Sequence, residues 1–210
     1  MKNTGTLHVS LSDNNEIVMT RVFDAPRALV YEAFMKPELL KRWFGPRGHS
    51  LEVCEVDHRV GGGFRFVLRK PNGGLMGMRG RYIELAPPDR SVHMESFDDY
   101  PGEAQVTTVF VEKGGKTTMT VTVGYESQEV CDMVLKSGME HGAAESYDRL
   151  AELLAETTAG SAVQRAYSER SAAVGFTRDA RTAGIHAARA ATAANASAAA
   201  AILSGSFGLT

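Results

Sequence analysis

Between residues 50 and 124 apolar and polar positions alternate with a period of two, and on either side of that stretch the apolar period lengthens to three and four. Phe64, Phe66 and Leu68 alternate with Arg65, Val67 and Arg69, and Met119, Val121 and Val123 alternate with Thr118, Thr120 and Thr122. Successive strand residues point to opposite faces, so such alternation builds a sheet with one buried and one solvated face. The pattern predicts strands over Leu51–Val56, Phe64–Arg69, Met76–Leu85, Ser91–Glu95, Gln105–Val111 and Thr117–Gly124, after a first strand Glu16–Phe23. Glycine and proline clusters separate them, among them Gly61-Gly62-Gly63, Asn72-Gly73-Gly74 and Pro87-Pro88-Asp89, which makes the middle of the chain an antiparallel meander.

The flanks read as helices. Asp24 is placed to cap and Pro26 to open a helix from Arg27, whose Leu29, Val30, Ala33 and Phe34 share one face. Lys36-Pro37 interrupts it before a second short helix, Glu38–Phe44. Towards the end, Met139, Ala143, Tyr147, Leu150 and Leu154 form one stripe with Leu153 beside it, while Glu140, Glu145, Asp148, Arg149 and Glu152 are expected to face away. A helix of about 18 residues is near 27 Å long, enough to cross a bent sheet. Space left between the two becomes a ligand cavity.

Arg42-Trp43-Phe44-Gly45-Pro46, Asp57-His58-Arg59-Val60-Gly61-Gly62, Arg21-Val22-Phe23-Asp24-Ala25-Pro26 and the segment from Ser137-Gly138-Met139-Glu140-His141-Gly142 through Leu154 resemble the activator-of-heat-shock-protein-ninety-ATPase homologue family. That family lies in the START-like, or SRPBCC, superfamily. The resemblance covers residues 15–157 and implies an α+β helix-grip fold: a curved antiparallel sheet wrapped around a long C-terminal helix, with two short helices after the first strand. Residues 1–14 are then a polar leader, far shorter than the additional N-terminal domain of the eukaryotic co-chaperones that gave the family its name. Residues 158–210, rich in Ala, Ser, Thr and Gly, read as a disordered or weakly helical tail that matches nothing in the family.

Composition narrows the choice of partner. The chain has 210 residues, 43% apolar and 23% charged, with a net charge of −2. Five arginines against Glu169 and Asp179 give residues 158–210 a charge of +3 and leave −5 for residues 1–157. A mildly acidic domain is a poor partner for phosphate backbones, so nucleic acid is not expected. The sequence offers no apolar run of membrane-spanning length and no secretory signal over Met1–Asn15, which points to the cytoplasm and away from membranes. Cys54 and Cys131 read as small buried hydrophobes.

The candidate cavity lining is apolar and adaptable: Phe34, Trp43, Phe44, Phe64, Phe66, Met78, Tyr82, Met94, Met119, Met139 and Tyr147, with Trp43 and Tyr147 at the rim. Asp57 and Arg59 are expected to pair beside the glycine turn, with positive backbone angles at Gly61 and Gly62. His93 and Glu95 share a strand face that the neighbouring Val92 and Met94 mark as wet; His141 and Glu145 read as a surface contact. No zinc-protease, nucleophile-elbow or phosphate-loop pattern occurs, and no cofactor or metal site is expected. The expected function is binding of a small hydrophobic or aromatic ligand between sheet and C-terminal helix, by a monomer or homodimer and in preference to catalysis. Two alternatives stand beside it: a cyclase- or dehydratase-like enzyme acting on a polyketide-like substrate, and a chaperone-binding domain.

Overall fold

The computed structural model describes residues 6–12, 14–100 and 102–159; the expected tail, 158–210, lies outside them from residue 160 on. Eight strands form one curved antiparallel sheet: β1 (His8–Ser12), β2 (Glu16–Phe23), β3 (Ser50–Val56), β4 (Gly63–Arg69), β5 (Leu75–Ala86), β6 (Arg90–Phe97), β7 (Ala104–Lys113) and β8 (Lys116–Gly124). Their order is β1-β2-β8-β7-β6-β5-β4-β3, so the meander from β3 to β8 is closed by β2 pairing with β8. Helices α1 (Arg27–Met35) and α2 (Pro37–Trp43) follow β2, and α3 (Gln128–Lys136) follows β8. A last helix, α4, covers residues 139–159. This is the helix-grip fold implied by the resemblance.

Two elements add to the sequence reading. The polar leader contains β1, which pairs with β2 from His8↔Thr20 to Ser12↔Glu16; with only Val9 and Leu11 apolar it takes its order from its neighbour. α3 is separate from α4, broken at Gly138 with φ +84° and capped by Ser127, whose hydroxyl accepts the Val130 N–H.

The inner face carries Ile17, Met19 and Phe23 on β2, Val106 and Phe110 on β7, and Met119, Val121 and Val123 on β8, packed against Leu150, Leu153 and Leu154 of α4. Arg21 and Asp148 reach each other across this layer, 2.6 Å apart with side chains 8% and 22% exposed. Asp148 therefore turns towards the sheet. Arg149 also departs from the expected outward face: its guanidinium donates to the carbonyls of Arg42 at 2.8 Å and Gly45 at 2.7 Å, satisfying acceptors freed where α2 ends. Asp24 does not cap α1. The N-cap is Pro26, the Arg27 N–H donates to Glu112 of β7, and Asp24 lies 3.6 Å from Lys116.

Candidate functional site

Trp43 shows how the inner layer is sealed at the α1–α2 corner. In a continuing helix the Ala33 carbonyl would accept from residue 37, but Pro37 has no N–H. The indole Nε1–H of Trp43 donates to that carbonyl at 2.9 Å, and the ring is 1% exposed against Phe34, Phe44 and Tyr147. The expected rim position is thereby corrected: Trp43 is a core ring whose donor is already used.

The candidate lining divides as follows. Trp43, Phe64, Phe66, Met78, Tyr82, Met119 and Tyr147 are buried in the core, and Phe34, Phe44 and Met139 pack against it half-buried. Met94 is on the opposite face, in register with the exposed side chains of Arg81 and Gln105. His93 and Glu95 correspondingly face inward, against the expectation of a wet face. His93 stands opposite Tyr82 and Val106, and Glu95 opposite Gly80 and Ala104, all inner-face positions. The signal was ambiguous because β6 is apolar on both faces, with Val92 4% exposed on the outer one. An extra residue in β5, Ile83, shifts the β5–β6 register between Tyr82 and Glu84.

The inner face thus holds a line of polar aromatic groups among apolar ones. His93 Nε2 lies 3.3 Å from Glu95 Oε2, the side chains 17% and 15% exposed. The His93 ring meets Phe64 edge-on at 5.3 Å and Tyr82 at 6.1 Å; Tyr82 meets His58 at 5.3 Å; His58 lies 6.3 Å from Tyr31. Gly80 makes room for this arrangement, since a Cβ there would collide with the Phe64 ring and the Met94 carbonyl. Tyr31, Tyr125 and His58 escaped the sequence reading. Tyr31 sits beside the α1 stripe, three residues before Phe34, and His58 lies in the Asp-His-Arg segment whose flanking residues drew notice as an ion pair.

Electrostatics keep the phenols protonated. Burial, with a lesser contribution from the neighbouring Tyr31 and Cys54 side chains, pushes Tyr82 up to about 12. Burial followed by the Glu95 carboxylate raises Tyr147 and Tyr125 far above the ordinary phenol range. Burial raises Tyr31, and partial desolvation lowers His58, an otherwise exposed residue, favouring the neutral imidazole. The two tyrosines near Glu95 are thus hydrogen-bond donors.

An open hollow of about 480 Å3 lies at the β3–β4 edge, lined by Glu55, Val56, Asp57, Gly63, Phe64 and Arg65. Arg59 pairs with Asp57 at 2.9 Å as expected. Gly61 has the positive φ, +80°; Gly62 has no room for a Cβ against the Asp57 carbonyl. Cys54 and Cys131 are both unpaired thiols. Among the described residues no three His, Cys, Asp or Glu side chains converge as metal ligands, and no helix is long and apolar enough to cross a membrane.

Comparison with known proteins places the geometry in a family. The family described as Activator of Hsp90 ATPase homolog 1-like protein matches residues 24–155. A Rhodobacter sphaeroides crystal structure is 30% identical with a TM-score of 0.69, covering 72% of this chain and 99% of its own. Similar at the level of fold are Ms6760 from Mycobacterium smegmatis, 23% identical, TM-score 0.64, covering 70% and 95%, and an AHSA1 protein from Silicibacter pomeroyi, 20% identical, TM-score 0.57, covering 68% and 99%. No curated protein matches the chain by sequence.

Proposed function

The chain belongs to the Activator of Hsp90 ATPase homolog 1-like family, and on that premise we propose that it binds a small hydrophobic or aromatic ligand between the sheet and α4, within a domain of residues 15–157. The observation that carries this is the composition of the inner face. Half-buried Phe44, Met76, Phe97 and Met139 pack against the core, and the same sheet face carries the inward His93–Glu95 pair and the protonated Tyr82. Apolar surface with a few convergent polar groups is what small-molecule sites are made of. Native mass spectrometry before and after solvent extraction tests it, followed by incubation with 2-naphthol. The expected result is a stoichiometric adduct; a bare chain mass throughout would sink the proposal.

One observation favours a second function, an enzyme of cyclase or dehydratase type. His93 and Glu95 lie 3.3 Å apart on the inner face of the sheet with phenol donors alongside, an arrangement that suits a base and its orienting partner. In that case Glu95→Gln abolishes turnover of a β-keto aromatic substrate while leaving its binding within about threefold. Equal turnover by the variant would remove Glu95 from the chemistry. Among the described residues, chaperone docking draws on a short outer row, exposed Val22 and Val111 flanking Thr118 on adjacent strands.

A further inference from the structure

We propose that Tyr31, His58 and Tyr82 form the subsite that takes an uncharged carbonyl oxygen of the ligand, an inference that rests on the ligand-binding function above. Tyr31 is 6% exposed, and among the described residues its buried hydroxyl has no hydrogen-bond partner. A buried donor left unpaired costs roughly 1–3 kcal/mol, so its presence in the core calls for an acceptor that the fold itself does not supply. The His58 ring stands between Tyr31 and Tyr82, 6.3 Å from one and 5.3 Å from the other, so three donor-bearing rings gather from α1, the β3–β4 connection and β5. The open hollow adjoins them: Asp57 and Phe64 line it, and Phe64 lies 5.6 Å from Tyr82.

Charge selects among acceptors. A neutral phenol or imidazole N–H suits a carbonyl oxygen. The cations beside the hollow are already matched, Arg59 with Asp57 and Arg65 with Asp98, which leaves the Glu55 carboxylate as the unmatched charge on its lining. An anionic ligand therefore meets repulsion on entry, and a neutral ketone, ester or quinone does not.

The test compares two probes of nearly equal shape, 2-acetonaphthone and 2-ethylnaphthalene, by ligand-observed NMR titration of the full chain. Wild type is expected to bind the ketone about tenfold more tightly than the hydrocarbon, the size of one good hydrogen bond. Tyr31→Phe is expected to bring that ratio close to one with the hydrocarbon affinity unchanged, and to melt no lower than wild type because the deleted hydroxyl had no partner. Tyr82→Phe gives the same reading should Tyr31→Phe fail to fold. Equal affinity for both probes in wild type, or a ratio unmoved by both variants, overturns this subsite alone. Saturable binding of neither probe overturns the ligand-binding function and the subsite together.

Discussion

Pro37 deprives the Ala33 carbonyl of its helical donor, and Trp43, six residues on, replaces it. Trp43→Phe keeps most of the apolar volume but strands that carbonyl, so a loss of about 1–3 kcal/mol is expected in urea unfolding followed by circular dichroism; an unchanged midpoint would show the carbonyl solvated. His58 gives a pH signature. Its folded pKa lies below the ordinary value, so the unfolded chain takes up the proton more readily, and stability present above about pH 6.5 is lost as pH falls through the folded pKa. The thermal midpoint should show a step below pH 6.5 that His58→Gln flattens; an identical profile in the variant would rule out His58 as its source. Hydrophobicity made the rings of Phe64 and Phe66 legible as interior, because burial is what their type demands, whereas Tyr147, expected at the rim, is in the core. It said nothing about His93 and Glu95, whose side is set by pairing with Tyr82 and Gly80 across a bulge.

At the level of elements, alternation located six strands of the meander to within one or two residues at each end, since a period of two has one physical source in a half-buried sheet. β1 was invisible because a five-residue edge strand with two apolar side chains depends on β2 for its structure. On the inner face, the close packing of β4, β5 and β6 depends on Gly80. Gly80→Ala puts a methyl against the Phe64 ring and the Met94 carbonyl, backbone that has little freedom to retreat within the sheet. A destabilisation of about 1–3 kcal/mol is expected, with altered ring-current shifts around Phe64. Wild-type stability and spectra in Gly80→Ala would mean that the rings do not pack as described.

For the whole molecule, the stripe on α4 foretold a helix lying on the sheet, but not how it is fixed there. Arg21 and Arg149 hold it, one by the ion pair with Asp148 across the core layer and one by the carbonyls at the end of α2. Both contacts join residues more than 100 positions apart, beyond the reach of any local pattern. The fold class followed from periodicity and resemblance together; the polar composition of the inner face required the register. The methionines now offer a direct test of the central claim, because they mark both faces of the sheet. Met76, Met78 and Met139 belong to the inner layer, while Met94 sits on the outer face and Met133 is 59% exposed. With 13C-methyl methionine labelling and 2-naphthol, saturable shifts and intermolecular NOEs are predicted at Met76, Met78 and Met139, with Met94 and Met133 unmoved. Shifts centred on Met94 or Met133, with the inner methyls silent, would contradict a ligand held between sheet and helix.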